Sequence, residues 1–175
     1  FAPAASAWVG MMGLGFLLHF GLFHLLSLAW QRIGVAAQPL MHWPIAAESL
    51  GSFWGERWNR GFNDIAVRHV FRPLCSRVGA RAAMLAAFLF SGVIHDVVIT
   101  LPAGGGYGLP TLYFLIQACG LLVERSPFGK RLGLRHGVRG WAFTLAVVAG
   151  ASGALVSAAF HGGVVLPFFP FPRPL

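Results

Sequence analysis

Charged residues are scarce in this sequence. They make up 10% of its 175 residues, whereas hydrophobic residues make up 57%, and the mean hydropathy is +0.70. Soluble domains typically contain about 25% charged and about 45–50% apolar residues. A soluble chain this short cannot hide so much apolar surface, because small domains bury only a limited fraction of the surface that they expose when unfolded. The composition therefore excludes an ordinary soluble domain and predicts an integral membrane protein.

Cysteine is also scarce, and no metal or disulfide motif is present. The two cysteines, Cys75 and Cys119, have no CxxC or Cys/His spacing around them. We therefore expect neither a bound metal nor a structural disulfide. The chain begins at Phe1 without the basic segment or cleavage site of a secretory signal. We interpret residues 1–175 as a single transmembrane domain that forms part of a longer protein.

Four apolar segments are candidates for transmembrane helices, which need about 20 residues. They are residues 8–30, 82–101, 109–123 and 141–160. Twelve of the thirteen Lys and Arg residues fall in the loops after the first and third segments, and only Arg173 falls elsewhere. Because basic loops stay in the cytoplasm, the sequence predicts four crossings with both of these loops cytoplasmic. The net charge of +8 then suits lipid head groups or a phosphate-bearing cosubstrate better than nucleic acid.

The long basic loop contains a candidate amphipathic helix at residues 53–69. Trp54, Trp58, Phe62 and Ile65 recur at helical spacing, while charged and amide side chains occupy the other faces. Such a pattern is typical of a helix that lies in the membrane interface. Asn59 is not explained by this role, since it lies beside the tryptophan stripe and has no charge. We therefore consider it a candidate functional residue.

His95 and Asp96 lie inside the second apolar segment, where ionisable residues are costly and mark functional sites by default. A straight helix starting at residue 82 places His95 about 20 Å along its axis, past the middle of a hydrocarbon layer of about 30 Å. Ser91 and Gly92 share its helix face, whereas Asp96 points about 100° away. Two interpretations stay open at this stage: a functional histidine, or one that is hydrogen-bonded across a helix interface.

Other polar residues of the apolar segments indicate helix packing. His19 and His24 are five residues apart, which places them on different helix faces and does not favour a shared metal site. We predict that both are interface histidines. Gln117 is predicted to form an interhelical hydrogen bond.

Two motifs together resemble the membrane-bound O-acyltransferase family, and most closely its wax synthase-like branch. Residues 53–59 read FWGERWN and resemble the FWGxRWN-type stretch of that branch. Residues 91–96 read SGVIHD and resemble its small-residue, apolar stretch that ends in His and an acidic residue. The resemblance covers about residues 48–125. Asp96 stands where relatives commonly have Glu, and relatives have more than four transmembrane helices, so the resemblance implies that this chain is the C-terminal catalytic portion.

The resemblance also implies an activity. The expected fold is an all-α integral membrane bundle, with about four transmembrane helices and the interfacial helix. The expected reaction transfers an acyl group from acyl-CoA, as a cosubstrate, to an alcohol acceptor within the membrane lipids, without a resident cofactor, metal or nucleic acid. His95 is the expected base, and Asn59 is expected to bind the thioester carbonyl or the acyl-CoA. The residues expected to contact substrate are Trp54, Arg57, Trp58, Arg60, Ser91 and Gly92.

Two other classes of protein remain as alternatives. A proton-coupled transporter would use intramembrane His and Asp as a relay, but it would not need the aromatic segment that contains Asn59, and paired broken helices are absent from the sequence. A non-catalytic membrane scaffold is the second alternative. For the acyltransferase we expect the bacterial inner membrane as the location.

Overall fold

The chain is mainly helical in the part that the structure, a computed structural model, describes: residues 10, 13 and 15–152. A π-helical segment, Leu17–Leu22, leads into α1 (Phe23–Arg32). A loop with one 3-10 turn at Pro44–Ala46 is followed by α2 (Leu50–Ser52) and a π-helical segment at Phe53–Arg57. No strand occurs among these described residues, which confirms the all-α class.

The second half is built from longer helices. In chain order these are α3 (Arg60–Ala66), π-helical Val67–Phe71, α4 (Arg72–His95), π-helical Asp96–Thr100, α5 (Leu101–Ala103), α6 (Leu109–Arg125), α7 (Pro127–Leu132) and α8 (Gly137–Gly150).

Residues Arg60–Ala103 form one long helical stretch, and within the described ranges it is the one long and apolar enough to cross a membrane. Gly79 interrupts it with a backbone conformation of φ 82° and ψ 162°, a region open to glycine but strained for other residues. At about 1.5 Å per residue the part after this kink, residues 80–103, rises about 36 Å, which is enough for a hydrocarbon layer of about 30 Å. The predicted second segment, 82–101, lies inside it.

The predicted interfacial helix at residues 53–69 is wrong as a single element. Trp58 is extended, and Asn59 adopts a left-handed conformation with φ 41° and ψ 60°. The chain therefore turns at Asn59, and the residues after it belong to the long helical stretch. Helical spacing of apolar residues continues across the turn because periodicity does not detect one residue of non-helical backbone.

The remaining predicted segments correspond to helices as far as the structure describes them. The third, 109–123, matches α6, while α1 overlaps the first and α8 overlaps the fourth. Residues 153–160 of the fourth segment and Arg173 lie outside the described residues, as do several residues before residue 15. The four crossings therefore stay a prediction. Cys75 and Cys119 are both free.

Helix α6 is the centre of the packing. It contacts α2, α4, α7 and α8. Its buried residues recur every three or four positions, as a helix with one packed face requires: Pro110, Tyr113, Phe114, Gln117, Ala118, Gly120, Leu121 and Glu124. Leu121 forms the apolar core together with Leu50 of α2 and Met84 of α4.

Two carboxylates join distant parts of this bundle by binding helix starts. Glu124, 1% exposed, accepts hydrogen bonds from the backbone N–H groups of Leu50 at 2.5 Å and Gly51 at 3.4 Å. Glu48 accepts one from the N–H of Gly137, the first residue of α8, at 2.9 Å. The first N–H groups of a helix have no partner inside the helix, so a carboxylate there satisfies a donor and interacts favourably with the helix dipole.

Candidate active site

A cavity of about 280 Å³ lies between the Asn59 turn and helices α4 and α6. It brings together five residues that the sequence analysis selected. They are Trp54, Trp58, Asn59, Ser91 and His95. The remaining lining is largely aromatic and apolar, with Asn63 and Arg125 as further polar residues. The two sequence motifs thus face one space.

His95 reaches this cavity with a defined tautomer. Its Nδ1 lies 2.7 Å from the backbone oxygen of Ser91, one turn earlier in α4. A carbonyl oxygen can only accept a hydrogen bond, so we assign the proton of the neutral ring to Nδ1. Nε2 is then left with a lone pair that can accept a proton. The imidazole is enclosed by the rings of Phe114 and Phe62, with centroids 4.6 and 6.0 Å from its own.

The helix changes its winding directly after His95. The π-helical segment begins at Asp96, and such segments occur frequently at functional sites. Gly92 does not line the cavity, although the resemblance implied substrate contact there. A Cβ at Gly92 would lie 2.6 Å from the Cα of Thr111, so the missing side chain instead allows α4 and α6 to approach closely.

Asn59 combines a structural and a potential chemical role. Its Oδ1 accepts a hydrogen bond from the N–H of Phe62 at 3.3 Å and so caps the start of α3. Asparagine tolerates the left-handed conformation observed here better than most residues. Within residues 15–152, its Nδ2 group has no hydrogen-bond partner. This N–H donor is therefore available to a ligand in the cavity.

Trp54 is held in the cavity wall by a buried amide. Its Nε1 donates to Oε1 of Gln117 at 3.4 Å, and Gln117 Nε2 donates to the backbone oxygen of Val147 in α8 at 3.0 Å. The interhelical hydrogen bond predicted for Gln117 is thereby confirmed. The Trp54 ring also packs against Phe114, with centroids 5.5 Å apart. His19 stacks on Trp58 at 5.8 Å, which is the packing role predicted for it.

The two arginines of the aromatic motif bind other parts of the chain. Arg57 donates from Nη1 to the backbone oxygens of His42 and Trp43, and from Nε to the hydroxyl of Ser52. Arg60 donates to the side chain of Gln38 at 3.0 Å. Neither arginine lines the cavity.

Arg125 does line the cavity, and the sequence analysis did not select it. It lies at the end of α6, about 16 Å along the helix axis from Phe114, which contacts His95. The sequence shows Arg125 as a basic residue at the end of an apolar segment. Other basic residues at segment ends share this property, so it does not single out Arg125. The cavity therefore has an imidazole near one end and a guanidinium near the other.

Metal-binding residues are not clustered in the described part of the chain. No group of three or more His, Cys, Asp or Glu side chains there could hold an ion.

Comparisons with known proteins show which proteins this chain resembles. Residues 37–116 match the model of a family described as "Membrane bound O-acyl transferase family". The chain is 34% identical over 133 residues to the probable long-chain-alcohol O-fatty-acyltransferase 7 of Arabidopsis thaliana, covering 66% of this chain and 38% of the relative. It is 31% identical over 127 residues to the long-chain-alcohol O-fatty-acyltransferase of Simmondsia chinensis, covering 65% and 36%. The chain thus spans little more than a third of the relatives' length. No solved structure matches it.

Proposed function

We propose that this chain is a member of the membrane-bound O-acyltransferase family, whose model matches residues 37–116. In this proposal it forms the catalytic part of an integral membrane enzyme that transfers an acyl group from acyl-CoA to an alcohol. The observation that carries the proposal is the His95 imidazole, which lines a largely apolar cavity with Nδ1 bound to the Ser91 carbonyl. Its free Nε2 is suited to remove a proton from a hydroxyl group.

The reaction needs such a base because an alcohol is a poor nucleophile while it keeps its proton. In the proposed step Nε2 of His95 takes the hydroxyl proton as the alcohol oxygen bonds to the thioester carbonyl carbon. The tetrahedral intermediate then expels the CoA thiolate as the carbon–sulfur bond breaks. The imidazolium returns the proton to the thiolate, which leaves an ester, free CoA thiol and the original histidine.

Asn59 is the proposed donor to the carbonyl oxygen, which becomes negatively charged in the tetrahedral intermediate. Its support is the Nδ2 group at the cavity wall and the fixed position that the capping contact to Phe62 imposes. A donor held in place before the reaction stabilises developing charge without reorganisation. Trp54 and Trp58 are proposed to pack on the acyl or acceptor chain.

Acyl-CoA is the proposed donor, and no resident cofactor or metal is part of the proposal. The CoA phosphates are anionic and strongly hydrated, so they should stay at the basic, cytoplasmic side while the thioester reaches towards His95. Arg60 and Arg125 are the proposed phosphate contacts, since a guanidinium binds phosphate oxygens in pairs. Arg57 is a weaker candidate because its guanidinium already contacts three groups of the chain.

A long-chain alcohol is the proposed acceptor, and a wax ester the product. Support comes from the names of the relatives and from the apolar cavity lining. We further propose four membrane crossings with the basic loops in the cytoplasm. The proposed location is the bacterial inner membrane, whereas the relatives described above are plant proteins.

The decisive experiment compares the lipids of cells that express the whole protein with its native His95 or with His95→Ala. We expect ester formation to fall about 10²–10⁴-fold, the usual contribution of a general base, while membrane insertion is unchanged. His69→Ala is the matched control, because His69 is exposed and does not line the cavity. Ester formation at the native rate in His95→Ala would refute the mechanism, because the reaction would then not need this base.

A further inference from the structure

The carboxylate of Asp96 binds the start of α6. Its Oδ1 accepts a hydrogen bond from the N–H of Gly108 at 2.7 Å, and its Oδ2 accepts one from the N–H of Thr111 at 3.1 Å. The hydroxyl of Thr111 also donates to Oδ2. The hydroxyl of Thr100 donates to the backbone oxygen of Asp96 at 2.7 Å. Gly108 is the residue before α6, and Thr111 is in its first turn.

From this geometry we propose that Asp96 is a positioning residue, which holds the first turn of α6 against α4 and thereby keeps Phe114 in contact with the His95 imidazole. The proposal rests on the proposed function, because it assigns Asp96 a role in the reaction that His95 performs.

The strength of this attachment follows from the chemistry of helix ends. The first N–H groups of α6 have no partner inside the helix, and Asp96 accepts hydrogen bonds from two N–H groups at this end. An ionised carboxylate gives stronger hydrogen bonds than a neutral acceptor and also interacts favourably with the helix dipole. Asp96 supplies both oxygens to this one helix end, so removal of its charge weakens several contacts together.

The attachment lies close to the reacting group along two routes. Phe114 follows Thr111 by one helical turn, and its ring centroid is 4.6 Å from that of His95. On the other side, Gly92 of α4 meets the backbone of Thr111 so closely that no Cβ would fit. The two helices are therefore in close contact at the same turn of α6 that Asp96 binds. His95 and Asp96 are adjacent, yet one faces the cavity and the other faces α6.

The test uses the whole protein in membranes, with rates expressed per folded enzyme. Asp96→Asn keeps the shape of the side chain but removes its charge and one acceptor. We expect kcat to fall about 10- to 100-fold, the effect of a misplacement of about 1 Å at an active site, while KM for donor and acceptor changes less than threefold. Thr111→Val, which removes only the hydroxyl, should lower kcat in the same direction, and Thr111→Ser should restore it.

Thr144→Val is the matched control for the threonine variants. Thr144 is a buried threonine of α8 whose hydroxyl has no hydrogen-bond partner among the described groups. The Thr144→Val substitution should leave kcat unchanged. The Asp96→Asn effect should also shrink in a Phe114→Ala background, because two changes that act through the same contact are not additive. A second, activity-independent measurement is hydrogen exchange, which should be faster at residues 108–114 in Asp96→Asn.

The outcomes separate this proposal from the proposed function. If the native protein forms no ester, the proposed function is wrong, and hydrogen exchange alone decides whether Asp96 holds α6. If the native protein is active and Asp96→Asn keeps its kcat within twofold, the positioning role is refuted while the function stands. Unchanged exchange at residues 108–114 would also refute it. A reduced amount of folded Asp96→Asn protein with normal kcat would likewise refute the positioning role, because Asp96 would then contribute only to stability.

Discussion

Substitution of Asn59 separates its capping role from its proposed role as a hydrogen-bond donor. Asn59→Ala removes both, and it also places alanine at φ 41°, where residues other than glycine, asparagine and aspartate are strained by about 1–2 kcal/mol. Loss of the cap adds about 1 kcal/mol. The alanine variant should therefore be destabilised by about 2–3 kcal/mol, and its lost activity would have two explanations.

Two other variants avoid this ambiguity. Asn59→Asp keeps an oxygen for the Phe62 N–H and tolerates the left-handed conformation, but it has no N–H donor. Asn59→Gly is neutral, accepts the same backbone conformation and costs only a few tenths of a kcal/mol as a cap. Both should remain folded. If Nδ2 stabilises the oxyanion, both should lose about 10²–10³-fold in kcat, the effect of removing one oxyanion donor.

The assay is ester formation from labelled acyl-CoA in membranes, normalised to the folded protein recovered in detergent. Full activity in both variants would refute the donor role. Activity in Asn59→Asp together with its loss in Asn59→Gly would show that the capping contact is what the reaction needs. A change confined to KM for the alcohol would contradict the assignment of Asn59 to the acyl donor.

Three further predictions concern topology, the basic residues and the fold. In a background without Cys75 and Cys119, cysteines introduced at Gly105 and at the exposed Lys130 should be labelled from opposite sides of the membrane. The cysteine at Lys130 should be labelled from the cytoplasm. Labelling of both from one side would refute the four crossings. Arg60→Ala should raise KM for acyl-CoA several-fold in a salt-dependent manner, which steady-state kinetics would measure. Arg57→Ala should chiefly lower the melting temperature, because it breaks contacts to two backbone carbonyls. Glu124→Gln should destabilise the protein by about 1.5–3 kcal/mol, the value of hydrogen bonds to a charged group; an unchanged melting temperature would contradict the anchoring of α2.

Local signals explain what could be predicted from the sequence. The third apolar segment matched α6 to within two residues because Gly108 and Pro110 mark its start and a charged pair marks its end. His95 and Asn59 were selected because each is a polar residue that its surroundings do not explain. Both proved to line one cavity.

Long-range contacts explain what could not be predicted. Glu124 and Leu50 are 74 residues apart, and Glu48 and Gly137 are 89 apart. Nothing in the local sequence indicates which helix start each carboxylate binds. The turn at Asn59 was missed for a different reason, since the aromatic residues on both sides keep their helical spacing. Its one local signal is that asparagine is a favoured capping residue.

The kink at Gly79 sets how well the protein matches the thickness of its membrane. It limits the straight apolar part to residues 80–103, which at about 36 Å is longer than a hydrocarbon layer of about 30 Å. Under the proposed topology this part must tilt by about 34°, within the range found for membrane helices. A thicker bilayer would make it stand straighter and would place His95 farther from the cytoplasmic surface. The acyl chain length of the host lipids should therefore influence how easily a donor anchored at that surface reaches the base.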